Sequence, residues 1–425
     1  MGRENGRVDV EAVRALRGPQ GQRLLAALAG YDPADELRLA TRLRREYPPG
    51  LVAAALTQAR LRQRAREKFG ADADRMLFTP AGLEQATRKP VAEYRAGRYA
   101  AAGLARVVDL CCGIGGDLLA FARAGLAVLG VDRDPVTAAV AAANAEALGL
   151  ADRVEVRCAE VTEVDPAGYG AVFCDPARRD ERGRVFDPEA YSPPWSYLLG
   201  LADRVPETAV KVAPGIPHEL VPEGAEAEWI SYRGDVKEAA LWFGALASAR
   251  RRATLLPGGH TLTERDLPEV TVGPPGRYLY EPDGAVIRAH LVGHVAAQVD
   301  GRLLDPTIAY VASDRLVPTP FATAYEVTDV LPFQLKRLRA LLRERGVGVL
   351  TIKKRGSALD PDRLRRQLRL TGDSAAVLIL TRVAGAPTAL LARPASRTGR
   401  GGSGKPAGAG PARRSLPGPG NEIAK

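Results

Sequence analysis

The segment spanning residues 107–132 constrains the fold more than any other part of the chain. An apolar run leads into a cluster of glycines, an apolar helical segment follows at 118–124, and a second apolar run at 127–131 ends at Asp132. The order of strand, glycine turn, helix and strand is typical of an open parallel α/β sheet, where glycines let the backbone approach a nucleotide-like ligand. A carboxylate that closes the second strand can accept hydrogen bonds from ribose hydroxyls. We therefore expect an α/β, Rossmann-like sheet with its ligand at this edge.

The spacing within the glycine turn distinguishes two classes of ligand. A dinucleotide fingerprint requires a third glycine, and Leu118 occupies that position. Instead, Asp109 precedes Gly113 and Gly115 in the pattern D-x-x-x-G-x-G-G, which resembles motif I of class I S-adenosylmethionine (SAM)-dependent methyltransferases. In that family the glycine turn holds the methionine part of SAM, and the acid matching Asp132 holds the ribose. The resemblance implies that SAM is the cofactor.

The same resemblance implies contacts to SAM along the neighbouring strands. A third strand is predicted at 154–158, and Glu160 follows it near the place where the family has an acid that meets the adenine amine. The usual aspartate is missing at this place. The residues expected to bind SAM are Asp109, Cys111, Gly113, Gly115, Asp132, Arg133, Glu160 and Asp175.

A second motif follows the fourth predicted strand, at 171–174. Asp175-Pro176-Ala177-Arg178 resembles the [D/N]-P-P-x motif IV of methyltransferases that act on amino groups and on some RNA bases. The resemblance implies that these four residues are catalytic, with the carboxylate and a backbone carbonyl accepting hydrogen bonds from the target amine. Ala177 replaces the second proline, and Arg178 replaces an aromatic residue, although a guanidinium can also stack on a base. Three downstream residues are alternative sources of a ring: Tyr191, Trp195 and Tyr197.

Cysteine usage narrows the chemistry. A motif IV with arginine in fourth place also occurs in RNA uridine-C5 methyltransferases, which need a cysteine nucleophile further along the chain, and none follows Cys174. Nitrogen methylation remains, and guanine N2 is favoured by resemblance to guanine-N2 RNA methyltransferases. Lys211 and His218 could reach the site, although such residues near a strand end are usually structural. The cysteines match no zinc-site spacing and no disulfide framework, so we expect no metal.

Four regions follow from the patterns. We expect a helical domain at 1–100, the methyltransferase domain at 101–250, an α+β domain at 251–395 and a disordered basic tail at 396–425. The third region, with RYLYEPDGAVIRAHLVG, LDPTIAY, LPF and IKKRG, resembles the THUMP-like domain of some bacterial methyltransferases, and THUMP modules bind RNA. Within it a helix is expected at 285–299. The resemblance implies an RNA partner, tRNA or rRNA. Two alternatives stay open: a protein or small-molecule substrate, and a SAM- and RNA-binding module without catalysis.

Charge and hydropathy set the remaining expectations. The net charge is +10, and residues 393–425 hold seven of the cations against Glu422 alone, so most of the excess lies near the C-terminus. Such a segment suits polyanions or serves only solubility. On the predicted helix at 51–68, Arg60, Arg64 and Lys68 share one face, which indicates either a phosphate track or a solvated surface. No apolar run approaches the ~20 residues of a membrane span, and no signal peptide is evident, so a cytoplasmic protein is expected. The oligomeric state is open.

Overall fold

The structure is a computed structural model that describes residues 8–177, 179–180, 183–184, 188–265 and 268–395. Arg178 and the basic tail, for which stacking and disorder are predicted, lie outside the described residues. The α-helices of the described part are α1 (Val10–Arg17), α2 (Pro19–Ala27), α3 (Glu36–Leu43), α4 (Pro49–Phe69), α5 (Pro80–Gln85), α6 (Lys89–Ala101), α7 (Gly116–Arg123), α8 (Pro135–Ala147), α9 (Trp195–Arg204), α10 (Gly284–Arg288), α11 (Val292–Gln298), α12 (Leu335–Glu344) and α13 (Pro361–Leu368). The strands are β1 (Arg106–Leu110), β2 (Ala127–Asp132), β3 (Val154–Cys158), β4 (Val172–Cys174), β5 (Arg179–Asp180), β6 (Gly183–Arg184), β7 (Thr208–Val212), β8 (Glu226–Tyr232), β9 (Asp235–Trp242), β10 (Arg251–Leu256), β11 (His260–Thr263), β12 (Tyr278–Pro282), β13 (Arg302–Asp305), β14 (Ile308–Ser313), β15 (Ala322–Pro332), β16 (Val347–Lys354), β17 (Ser374–Val383) and β18 (Ala386–Pro394).

The first sheet has the order β11-β10-β8-β9-β7-β4-β1-β2-β3. β3, β2, β1, β4 and β7 run parallel, and β9 pairs antiparallel with both β7 and β8. This confirms the Rossmann-like α/β fold. The carboxyl ends of β1, β2, β4 and β7 therefore meet at one edge, where open α/β sheets bind their ligands. β10 and β11 continue this sheet past residue 250, the predicted domain boundary.

The N-terminal helices share a hydrophobic core with one face of this sheet. Helices α1 to α8 and that face bury a single cluster of side chains. At its centre the rings of Tyr99 and Phe121 are 4.9 Å apart, and those of Phe121 and Phe173 are 5.8 Å apart. The first hundred residues are thus packed against the sheet through buried aromatic side chains.

The opposite face of the first sheet is covered by α9, α10 and α11. The single helix expected at 285–299 is wrong, because two helices form with a break between them. His290 adopts a left-handed backbone with φ of 57°, which an α-helix cannot continue through. The apolar residues keep helical spacing across the break, and this spacing concealed it.

The second sheet has the order β13-β14-β12-β15-β18-β17-β16. Its pairs are antiparallel except for β16 with β17. α12 and α13 pack over one face through Leu338, Leu342, Leu364 and Leu368, all of them buried. This C-terminal α+β unit agrees with the expected class.

Candidate active site

A cavity of about 640 Å³ opens at the carboxyl edge of the first sheet. Its volume lies within the range of small-molecule sites. Its lining includes most of the residues predicted from the two motifs: Asp109, Cys111, Gly113, Asp132, Arg133, Glu160, Asp175, Pro176 and Ala177. Gly115 does not line it but lies just before α7, with φ of 92°, a conformation that suits glycine. Two distant motifs therefore meet in one cavity.

The glycine turn is held by the carboxylate of Asp132. Oδ2 of Asp132 accepts a hydrogen bond of 3.0 Å from the amide of Gly113, and Oδ1 accepts one of 3.0 Å from the amide of Asp134. Burial raises the pKa of Asp132, while these two amides lower it. The acid expected to hold a ribose thus also fixes the turn beside it.

Asp109 is a buried acid without a partner. It is 1% exposed, and neither carboxylate oxygen forms a hydrogen bond of ordinary geometry with the described residues. Burial raises the pKa of Asp109 well above its usual range, Asp117 and Asp175 raise it further, and Arg95 and the Leu118 amide lower it. A buried carboxylate is costly unless it is paired. A cationic group of a ligand in the cavity would supply that pairing, and the ammonium of SAM is such a group.

The far side of the cavity is roofed by residues 79–87, which the sequence did not connect with it. Thr79 caps α5 by accepting a hydrogen bond of 3.0 Å from the amide of Gly82. A Cβ atom at Gly82 would overlap Ile114 of the glycine turn, so the close approach requires glycine. The N-terminal helices therefore contribute a wall of the site.

Asn144 connects this roof to the glycine turn. The side chain is fully buried; its Oδ1 accepts from the Leu77 amide at 2.7 Å, and its Nδ2 donates to the carbonyls of Leu77 and Ile114, each at 3.0 Å. Its spacing from the motifs gave only a weak resemblance to RNA methyltransferases. Its partners lie 67 and 30 residues away in the chain, so the sequence could not show this role.

The motif IV acid is paired with a buried lysine. Nζ of Lys211, at the end of β7, donates to Oδ2 of Asp175 at 2.6 Å and to Oγ1 of Thr87 at 3.0 Å. Burial lowers the pKa of Lys211, but Asp175, Glu238 and Asp117 more than offset this and raise it. Lys211 therefore stays protonated, and Oδ1 of Asp175 has no hydrogen-bond partner among the described residues. Lys211 does reach the site, whereas His218 does not line this cavity.

Behind this pair lies a second buried ion pair. Arg95 of α6 donates from Nε to Asp117 at 2.9 Å and from Nη2 to Glu238 of β9. Burial lowers the pKa of Arg95, but Glu238 and Asp117 raise it above its usual value. Nζ of Lys211 lies 3.9 Å from Glu238 as well, so the two cations share one network of acids. Charged groups so deeply buried are retained only when they are paired.

The backbone of motif IV is fixed by one bridge. The amide of Ala177 donates to the carbonyl of Ser192 at 2.8 Å, and the amide of Ser192 donates back at 3.1 Å. The carbonyl of Pro176 accepts no hydrogen bond within the described part of the chain. None of the three aromatic residues considered above, Tyr191, Trp195 and Tyr197, lines the cavity. Phe173 is the aromatic residue that does.

The predicted basic face of α4 is largely engaged within the protein. Arg60 pairs with Glu36 at 3.1 Å, and Nζ of Lys68 donates to the carbonyls of Leu83, Glu84 and Ala86 at 2.6–2.8 Å. Burial lowers the pKa of Lys68 to about 8. These contacts favour the structural interpretation of this face over a phosphate track.

The described residues contain no helix long and apolar enough to cross a bilayer. They also contain no cluster of three or more histidine, cysteine or acidic side chains placed to hold a metal ion.

The fold and the cavity together define a class I methyltransferase, and comparison with known proteins agrees. The model of RNA cap guanine-N2 methyltransferases matches residues 104–197, the THUMP domain-like model matches 322–394, and a domain of unknown function matches 9–65. An uncharacterized S-adenosylmethionine-dependent methyltransferase of Mycobacterium tuberculosis H37Rv is 40% identical over 336 residues, 76% of this chain and 90% of that protein. The chain therefore belongs to the family of SAM-dependent methyltransferases, and SAM is its cofactor.

Two further comparisons are more limited. The crystal structure of a protein assigned as a methyltransferase from Porphyromonas gingivalis W83 superposes with a TM-score of 0.70 at 20% identity, covering 92% of this chain and 100% of that one. This likeness shows the fold. A 23S rRNA (uracil(1939)-C(5))-methyltransferase of Acidithiobacillus ferrooxidans is 41% identical over 78 residues, 17% of this chain and 18% of that protein.

Proposed function

We propose that this methyltransferase acts on an exocyclic base nitrogen of structured RNA, tRNA or rRNA, with guanine N2 favoured. The observation that carries the proposal is the state of motif IV. Lys211 occupies Oδ2 of Asp175, which leaves Oδ1 and the Pro176 carbonyl as two acceptors at the cavity. Two acceptors side by side suit the two N–H groups of an exocyclic amine.

The mechanism needs orientation more than acid–base chemistry. When bound, SAM supplies an electrophilic methyl group on a sulfonium. Asp109, Asp132 and the turn at Gly113 would hold the cofactor, with Cys111, Arg133 and Glu160 along the cavity wall. Asp175 and Pro176 would hold the amine so that its nitrogen lone pair points at the methyl group. The N–C bond forms as the S–C bond breaks, and the nitrogen then gives up one proton. In-line positioning of this kind supplies much of the rate enhancement.

Three observations support an RNA base as the substrate. The model matching 104–197 describes guanine-N2 methyltransferases of RNA caps, and the C-terminal unit matches a THUMP domain-like model. The rRNA methyltransferase with a local match acts at uracil C5. This chain has no cysteine after Cys174, and burial raises the pKa of Cys174 well above its usual range, so a thiolate nucleophile for C5 chemistry is lacking. Nitrogen methylation fits the motif better.

Mass spectrometry of nucleosides tests the proposal. RNA is compared between cells that carry the gene and cells from which it is deleted, and the deleted cells are complemented with wild type or with Asp175→Ala. One N-methylated nucleoside, expected to be N2-methylguanosine, should disappear on deletion and return only with wild type. Asp203→Ala, at an exposed acid on α9 with no contacts to the cavity, is the matched control and should restore the nucleoside.

Two results would contradict the proposal. If every modified nucleoside is unchanged by the deletion, the substrate is a protein or a small molecule, or the protein binds SAM without transfer. If a C5-methylated pyrimidine is lost, the nitrogen assignment is wrong.

A further inference from the structure

A second cavity, of about 580 Å³, lies between the first sheet and the C-terminal half of the chain. Neither motif reaches it. It is bounded by the loop after β7, by β8 and the start of β9, by the helix α10, and by Arg355 at the end of β16. The side chains that the argument uses are His218, Trp229, His290, Arg288 and Arg355.

Three flat rings are stacked in its wall. The ring of His218 lies 4.9 Å from that of Trp229 at 22° and 3.9 Å from that of His290 at 14°. Trp229 is buried and donates from Nε1 to the carbonyl of Pro214 at 3.0 Å, so the stack has a fixed base. His290 is exposed at its outer end and is held there with φ of 57°, a backbone conformation that costs energy for a residue other than glycine. The stack is therefore a rigid, partly exposed aromatic platform.

Two arginines without acidic partners converge on the same cavity. Within the described residues, neither Arg288 nor Arg355 forms an ion pair, and Nε of Arg355 is buried without a hydrogen-bond partner. The guanidinium of Arg355 lies 5.5 Å from the centre of the Tyr310 ring. Nearby acids are already engaged, because Glu264 pairs with Arg251 and Asp283 accepts from Ser231 at 2.9 Å. Unpaired guanidinium groups in a recess favour an anion, and phosphate matches their geometry.

The position relates this cavity to the active site. β7 carries Lys211 and leads directly into the loop with Pro214 and His218. Because β4 and β7 are parallel neighbours, the loop after β7 lies at the same sheet edge as Asp175. A polynucleotide that presents one base at Asp175 can therefore place another along this edge.

We propose that this cavity binds a nucleotide of the RNA substrate other than the one that is methylated, which rests on the function proposed above. Its base stacks on the ring of His290, and Arg288 and Arg355 hold its phosphate. RNA recognition commonly uses unpaired bases stacked on aromatic side chains. The cavity thus acts as a second point of attachment for the RNA, outside the SAM site.

The test measures RNA affinity of the full chain by fluorescence anisotropy, with a labelled single-stranded oligonucleotide of mixed sequence, across a salt series. His290→Asn removes the ring and keeps a residue that tolerates the left-handed backbone. It should weaken binding on the order of tenfold, the usual effect of one lost stack. Arg288→Ala with Arg355→Ala should flatten the log–log salt dependence by about 0.7 for each lost phosphate contact.

The control removes the same charge elsewhere. Arg44→Ala with Arg45→Ala, at two exposed arginines that follow α3, should leave the salt dependence as in wild type. SAM affinity, measured by calorimetry, should be unchanged in every variant and so reports that each one folds.

Three results would overturn the proposal. If His290→Asn and the arginine pair bind the oligonucleotide as wild type does while wild type methylates RNA, the cavity is no RNA subsite and the proposed function stands. If guanosine 5′-monophosphate binds as tightly as the oligonucleotide, the cavity is a site for a free nucleotide. If wild type binds no RNA, the proposed function fails together with this one.

Discussion

Asp175 owes its orientation to a residue 36 positions along the chain. Lys211 is protonated and buried, and it occupies one oxygen of the carboxylate while Thr87 occupies another direction of its ammonium group. The remaining oxygen of Asp175 is presented to the cavity. Sequence motifs identified Asp175, because the strand end and the proline are local signals. They could not assign Lys211, because only the parallel pairing of β4 and β7 brings it beside the acid.

Replacing Lys211 by methionine should separate positioning from cofactor binding. Loss of the charged hydrogen bond to Asp175, typically ~1.5–3 kcal/mol, should slow methyl transfer about tenfold to a hundredfold. SAM affinity should change little. Stability should fall by about 3–5 kcal/mol, as for other buried ion pairs that lose one partner, and urea unfolding measures this. Lys237→Met, on β9 in a more exposed ion pair with Asp235, is the control and should affect neither property strongly. Wild-type rates in Lys211→Met would show that Asp175 does not depend on it.

Asp109 should couple SAM binding to proton release. Its folded pKa is raised, so its carboxyl stabilises the fold at low pH and that stabilisation is lost as pH rises through the folded pKa. A ligand ammonium beside it would favour the ionised form and lower that pKa, so binding should expel a proton at pH values below the folded pKa. Calorimetry in buffers of different ionisation enthalpy measures the release. Asp109→Asn should abolish it, and equal release in this variant would rule out Asp109 as the titrating group.

Helix starts were predictable because their signals are local. Thr79, Asp134 and Asp360 each precede a proline, and each accepts a hydrogen bond from a backbone amide of its helix at 2.7–3.0 Å. The break at His290 carries no proline or glycine at the break itself, so nothing local marks it. β10 escaped prediction for a different reason. It belongs to the first sheet only because β8, distant in sequence, is its parallel partner.

Asn144→Ala should loosen the contact between the N-terminal helices and the glycine turn. The change leaves the amide and carbonyl of Leu77 and the carbonyl of Ile114 without their side-chain partner in a buried setting. Each unsatisfied buried group costs about 1–3 kcal/mol, so urea unfolding should show a clear loss of stability, and SAM affinity should fall as well. Asn144→Asp keeps one acceptor for the Leu77 amide and should be less damaging to that contact. Unchanged SAM affinity in Asn144→Ala would show that the roof is not part of the cofactor site.

The cations of the C-terminal unit divide into engaged and free groups. Lys353 pairs with Glu281 at 2.6 Å, and Nζ of Lys354 donates to the Leu359 carbonyl at 2.9 Å. Arg355 faces the second cavity. The three consecutive cations, grouped in the sequence, therefore have different surroundings. On α12 and α13, by contrast, Lys336, Arg363 and Arg366 are exposed, and their side chains form no ion pair within the described residues.

Reversing charge on these helices should test where RNA lies on the protein. Lys336→Glu with Arg363→Glu and Arg366→Glu should weaken RNA binding, and each lost phosphate contact on a duplex should reduce the log–log salt slope by ~0.9. SAM affinity should not change, because none of the three lines the cofactor cavity. Arg38→Glu with Arg44→Glu and Arg45→Glu, at exposed positions on and just after α3, applies the same charge change elsewhere. If both triple variants lose RNA binding equally, net charge and not this surface determines the affinity.

The core shared by the N-terminal helices and the first sheet has a consequence for synthesis on the ribosome. Arg95 pairs with Glu238, 143 residues later, and Tyr99 packs 6.1 Å from Trp242. Chains emerge from the ribosome N-terminus first, so the helices that roof the cavity wait for β9 before their buried charge is paired. Until residue 242 has emerged, the glycine turn is present but its pocket is not complete. A nascent chain therefore acquires a finished cofactor pocket late, as part of one cooperative event that spans more than half of its length.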